Sequence, residues 1–281
     1  MNFNNTLSRY KFYVEKRIKI FFQGLSFSRI KGRLNGPKVV LNSLPKSGTH
    51  LIETLFFELP NISHYGGRTI MMNSHDNSIA QGLKKLSKVG KGQFVPAHIQ
   101  YDDVVYSFFK ENQFKVIQMI RDPRDVLISH WLYVKNLDKT HKAHEYISSL
   151  ENDFEQFKAV VVGKEGIVEP FAAVASKFYG WFDKQDILIV RFEDLVGSKG
   201  GGSDTKQFEV VKSIANHIGF LSSDKEMETL TGKIFSTKSS TFNTGTIGKW
   251  KKVFKQEHKD LCKNQIQHIL ELYGYEKDAS W

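Results

Sequence analysis

The sequence predicts a single α/β domain in which a central, mostly parallel sheet is flanked by helices. Three observations support this. Short, continuous apolar runs recur at Val39–Leu41, Phe114–Ile120 and Ile187–Val190, and unbroken apolarity over so few residues suits strands buried on both faces. Helical stretches are expected at Asp153–Val162, Pro170–Lys184, Lys206–Gly219 and Glu257–Tyr273, giving the strand–helix alternation of a doubly wound sheet. Each apolar run is followed at once by polar residues, at Ser43–His50, Arg121–Asp125 and Arg191–Asp194. That places three polar clusters on one edge of the sheet, where such folds gather ligands.

The first strand feeds Leu44-Pro45-Lys46-Ser47-Gly48-Thr49-His50, and a helix-like run opens at Leu51. A strand, a tight loop and a helix N-terminus bring backbone N–H groups and a positive dipole end to one point, a P-loop-like phosphate-binding unit. Lys46 adds a mobile cation, and Ser47 and Thr49 add hydroxyl donors. A nucleoside-triphosphatase loop reads G-x-x-x-x-G-K-[ST]. Here Lys46 precedes Gly48, and no glycine stands four or five residues upstream of the lysine. The order points to a phosphate-anchored donor other than magnesium-ATP.

The second cluster runs from Arg121 through Asp122, Pro123, Arg124 and Asp125 to Ser129 and His130. The guanidinium of Arg121 is a planar fork suited to phosphate, and Ser129 could converge on the same group. Taken alone, the cluster reads equally well as a capped helix start, with Pro123 and the flanking acids in place and Arg124 paired with Asp122 or Asp125. After the third strand, Lys199-Gly200-Gly201-Gly202-Ser203 reads as a mobile loop within one domain. No repeat or composition break divides residues 37–281. Residues 1–36 form a basic, aromatic segment, expected to be helical. It is expected to pack its aromatic side on the domain, with a helix lying on an anionic membrane as the competing reading.

A net charge of +10 points to anionic partners without choosing among them. No apolar run approaches the ~20 residues needed to span a bilayer. The single cysteine, Cys262, excludes an internal disulfide and points to a reducing compartment, so a cytoplasmic protein is expected, with membrane contact at most peripheral.

Five ordered segments resemble the sulfotransferases that use 3′-phosphoadenosine-5′-phosphosulfate, in particular their bacterial members. LPKSGTH (44–50) resembles the loop that binds the 5′-phosphosulfate. RDPRDVLIS (121–129) resembles the 3′-phosphate segment, with matching spacing from Arg121 to Ser129. TFNTGTIGKWK (241–251) is similar to the glycine-containing donor loop, and VRFEDLVGSKGGGS (190–203) and the terminal LYGYEKDASW (272–281) look like the bacterial proteins.

The resemblance implies a sulfuryl donor, a hydroxyl or less often an amine acceptor, and no metal. It places Lys46 at the leaving group, and the backbone of Ser47, Gly48, Thr49 and His50 with the Thr49 hydroxyl at the 5′-phosphate. Arg121 and Ser129 fall at the 3′-phosphate, and Gly245 gives the late loop close approach to that end. Among ten histidines, His98 is similar to the family's general base, placed after a short strand. His64 and His75 are lesser candidates. The chain departs from the family at several positions. Leu51 stands where a tryptophan often meets adenine, leaving Phe235 or Trp250 as stacking candidates. Asn243-Thr244 replaces an Arg-Lys pair, Phe192 replaces a tyrosine, and Pro96 stands where a lysine often assists the base.

Two other readings compete: an ATP-dependent phosphotransferase with Asp122 as its magnesium acid, and a basic nucleic-acid-binding protein. The lysine–glycine order opposes the first, and the scatter of Lys and Arg opposes the second. The acceptor is expected to be a small molecule, a lipid or a glycan, shaped by residues 61–95 and 135–169.

Overall fold

The computed structural model describes residues 14–20, 32–137, 139–220, 223–234 and 245–281. Its sheet contains β1 (Lys38–Ser43), β2 (Ser63–His64), β3 (Ile70–Met72), β4 (Gln93–Ile99), β5 (Phe114–Ile120) and β6 (Ile187–Arg191). The strand order is β2-β4-β1-β5-β6, with β3 also paired to β4, and every ladder is parallel. Because β4 and β5 flank β1 on opposite sides, the chain reverses its winding beside β1. The crevice at the carboxyl end of β1 is therefore the natural ligand position.

The strands expected at Val39, Phe114 and Ile187 are present, with the first and third slightly longer than their apolar runs. The two-residue β2 and three-residue β3 are too short to leave a period in the sequence. His98 lies within β4, not after it. Pro96 is tolerated in this interior strand for a specific reason. β2 pairs with β4 at Gln93 and Phe94 and β3 pairs from Ala97, so the missing N–H of Pro96 faces the gap between them.

Side chains alternate across the sheet. Val39, Leu41, Phe94, Ile117, Met119 and Val190 pack under α1 (Thr49–Glu58), α9 (Asp204–His217) and α10 (Asp224–Ile234). On the other face, Val40, Val95 and Val116 meet α2 (Asp76–Leu86), α3 (Asp103–Glu111) and Trp181. Beyond them, Ile120 joins α4 (Pro123–Leu132), α6 (Asp153–Val162), α7 (Phe171–Tyr179) and α12 (Gln256–Leu272). Three further helices are short: α5 (His144–Ser149), α8 (Phe192–Leu195) and α11 (Trp250–Val253). Helix α6 has the expected bounds. The helices expected at 206–219 and 257–273 differ by one or two residues at each end, and the one expected at 170–184 stops five residues early, at Tyr179.

The triple-glycine loop lies within the domain and is close-packed there. A Cβ on Gly200 would stand 2.8 Å from the Gly245 carbonyl, and one on Gly202 would stand 2.8 Å from that of Glu193. Residues 14–20 are helical and lie against α1. Lys16 pairs with Glu53 at 2.7 Å and Lys19 with Glu58 at 2.8 Å, and Ile20 packs on the core. The contacts to the domain here are made by Lys16, Lys19 and Ile20; the aromatic residues of the segment all fall within 1–13 and 21–31, outside the described set, and with them the aromatic packing expected of it. No described helix is long and apolar enough to cross a membrane.

Candidate functional site

The loop after β1 is shaped by its backbone. Lys46 has φ 74° and Gly48 φ 100°, a left-handed geometry that is strained for lysine and natural for glycine. Gly48 is required twice over, because a Cβ there would fall 2.5 Å from the Phe192 ring. Helix α1 then starts with no side-chain cap and no acid in its first turn. Its opening N–H groups lack intrahelical partners and face the loop with the positive end of the dipole. The Ser47 hydroxyl is buried and has no hydrogen-bond partner.

At the end of β5, Arg121 stacks on Phe192, with its guanidinium carbon 4.3 Å from the ring centroid. Its Nη2 donates to the Thr246 carbonyl at 3.2 Å and lies 3.5 Å from Asp125. Its Nε is buried and unpartnered. Asp125 also accepts from the N–H groups of Gly248 and Trp250, at 2.9 Å each. Arg121 and Asp125 thus tie residues 245–250, including Gly245, to the strand end. Asp125, Ser129 and Tyr133 follow at four-residue spacing and share one face of α4. That face runs from Arg121 to Tyr133, whose ring holds the Lys46 ammonium 3.6 Å from its centroid. A π-helical turn, Tyr133–Leu137, begins there, a distortion frequent at functional sites.

His98 lies on the other side of Lys46. Its Nδ1 is 2.8 Å from the Ser43 carbonyl and 3.2 Å from the Ser43 hydroxyl, which in turn meets the Thr49 hydroxyl at 2.7 Å. A carbonyl can only accept, so Nδ1 carries the proton and Nε2 keeps a lone pair able to accept one. Burial pushes the imidazole down to about 4, aided by nearby His50 and Lys46, so His98 is neutral at physiological pH. Met71, in register with His98, is 58% exposed and places an apolar side chain beside the base.

Lys46, Ser47, Thr49 and His98 therefore meet at one strand end, and Arg121, Ser129 and Gly245 line the adjoining one. His50 turns its Nδ1 to Glu53 at 2.9 Å. His64 is buried with Nδ1 accepting from Gly66 N–H, and His75 is exposed at the start of α2. Trp250, one of the adenine-stacking candidates, is buried. It lies under Arg124 at 3.8 Å and donates to Asp122 at 3.1 Å, so its ring is committed to packing. Phe235 and Asn243-Thr244 lie outside the described residues. Arg124 pairs with Asp122 at 2.8 Å and with Glu276 at 2.6 Å, so it braces the C-terminal tail. Glu193 likewise braces the strand ends, accepting from Asp122 N–H and from the Tyr275 hydroxyl. Sequence reading named Ser43, Asp125 and Phe192 without giving them a part in the site, and did not single out Tyr133. Only Tyr133, four residues after Ser129, left a usable signal.

Burial, foremost, also holds His64 and His130 at about 4, whereas an unfolded histidine titrates near 6.5. Above that pH these groups are neutral in both states. Below it the unfolded chain takes up protons that the folded chain refuses, so stability falls by up to ~1.4 kcal/mol per pH unit for each histidine until about pH 4. Urea midpoints should be level above pH 7 and drop between 6.5 and 4. A level midpoint down to 4.5 would contradict the burial of these rings.

The family model described as Sulfotransferase domain matches residues 36–274. The fold is similar to mouse sulfotransferase SULT7A1 complexed with PAP, with TM-score 0.59 and 16% identity over 85% of this chain and 89% of that one. It is also similar to retinol dehydratase in complex with androsterone and inactive cofactor PAP, with TM-score 0.52 and 16% identity over 83% and 80% of the two chains. At such identity these structures speak for the fold alone. Comparison with curated proteins gives no match. The family match spans most of the chain and contains both strand-end clusters: the chain belongs to the sulfotransferase domain family.

Proposed function

We propose that the chain transfers the sulfuryl group of 3′-phosphoadenosine-5′-phosphosulfate to a hydroxyl, less readily an amine, by in-line displacement. The observation that carries this reading is that two of the buried polar atoms left without a hydrogen-bond partner, Ser47 Oγ and Arg121 Nε, belong to the two strand-end clusters, the loop after β1 and the end of β5. A buried polar atom without a partner calls for a physical reason, a ligand atom among them, and at these two positions a bound anion would supply one. Two such donors suit a nucleotide with an anionic group at each end.

The N–H groups around Ser47–His50, with the Thr49 hydroxyl, hold the 5′-phosphate. Arg121, Ser129 and the Gly245 backbone hold the 3′-phosphate. Negative charge grows on the bridging oxygen as the sulfuryl group departs, so the Lys46 cation counts most in the transition state. His98 Nε2 takes the acceptor proton, while the Ser43 carbonyl fixes the ring and favours the imidazolium that forms. Residues 37–281 constitute the transferase domain and 1–36 an appended segment. The acceptor is a small molecule, a lipid or a glycan, and the exposed Met71 favours one with an apolar face beside its hydroxyl. The reading is tested by supplying a cell extract with sulfur-labelled donor or with γ-phosphate-labelled magnesium-ATP. Label should pass to acceptors from the first alone, and transfer from ATP alone would support the phosphotransferase.

A further inference from the structure

Glu53 is 3% exposed and sits one helical turn beyond Gly48 and Thr49, beneath the anion-binding loop. An unneutralised carboxylate there would repel any anion the loop bound. Its neighbours are Lys16 Nζ at 2.7 Å, His50 Nδ1 at 2.9 Å and His64 Nε2 at 4.0 Å. Lys16 contributes the fixed positive charge of this cluster, and its side chain is itself only 18% exposed. Lys16 lies outside the family match, which begins at residue 36.

Given a donor anion at residues 44–50, as proposed above, we propose that the N-terminal helix is part of the donor site. Lys16 is the countercharge that allows Glu53 to lie under the loop, and Glu53 in turn orients His50 at the loop's edge. Both are positioning residues acting through the loop and need not touch the donor. Burial favours a protonated Glu53, but the hydrogen bond from His50 and the charge of Lys16 overcome it and hold the carboxyl down at about 2. The carboxylate is therefore a full charge that Lys16 must balance.

The experiment is a charge cycle on the full-length chain, titrated with adenosine 3′,5′-bisphosphate by calorimetry. Lys16→Met should weaken binding about tenfold, because it strips the countercharge and leaves the carboxylate. Lys16→Arg should bind like wild type. The double variant Lys16→Met with Glu53→Gln should recover to within about threefold of wild type, because the uncompensated charge is gone. A merely structural Lys16 would lower the stability of Lys16→Met and leave its affinity for the bisphosphate unchanged. Unchanged affinity in Lys16→Met, or a double variant as weak as the single, overturns the inference while leaving the donor assignment standing. Failure of the wild type to bind overturns both.

Discussion

Replacing His98 with alanine is expected to lower kcat about a thousandfold while leaving affinity for adenosine 3′,5′-bisphosphate unchanged. The split follows from position. The hydrogen bonds of His98 go to Ser43, which it touches from β4, so its loss removes a proton acceptor and leaves the phosphate cradle standing. The pH profile supplies an independent check. With the ring held at about 4 by burial first and nearby cations second, kcat/KM should stay level to about pH 5 and fall below it. A limb near 6.5 would mean an ordinary solvated histidine. Full activity in His98→Ala would pass the role of base to another group.

The second large effect is expected at Lys46. Lys46→Ala should reduce kcat at least a hundredfold, with a smaller change in donor affinity, because charge builds on the bridging oxygen mainly in the transition state. The structure explains why a lysine occupies this strained position. A φ of 74° turns the side chain from the loop towards α4, where the Tyr133 ring holds the ammonium at 3.6 Å. The same ammonium helps depress both His98 and His130, which places it near both rings. Lys46→Arg should retain part of the rate. A change confined to donor affinity would make Lys46 an anion anchor only.

The elements legible in the sequence were those whose chemistry is local. The strands at Val39, Phe114 and Ile187 are continuous apolar runs, and Asp153–Val162 carries its own cap at Asn152. The lysine–glycine order from Lys46 to Gly48 showed the loop's type before any fold was known. β2 and β3 were invisible because each is too short to express a period, and Pro96 hid how far β4 runs, so His98 was expected after the strand and lies within it. Sequence reading gave Arg121 to phosphate and offered Arg124 a local pair with Asp122 or Asp125, and the structure pairs Arg124 with Asp122. Each leaves one buried guanidinium nitrogen without a hydrogen bond, Arg121 Nε and Arg124 Nη1, but Arg124 is held by ion pairs to Asp122 and Glu276 and by two tryptophan rings, whereas Arg121 stacks on Phe192. The Asp125 contacts to Gly248 and Trp250 span 123 and 125 residues, a separation no local pattern can report. The same holds for Lys16 and Glu53, joined across 37 residues.

The central claim, a donor with phosphates at both ends bound across the ends of β1 and β5, is tested most directly by thermal unfolding with adenosine 3′,5′-bisphosphate in magnesium-free buffer. At about a hundred times Kd the wild type should gain ~2.7 kcal/mol, or roughly 5–10 °C in Tm. Arg121→Ala, deprived of a charge-assisted contact to the 3′-phosphate, should lose most of that gain at the same concentration. A wild type whose Tm does not move, or one stabilised only by magnesium-ATP, would contradict the claim.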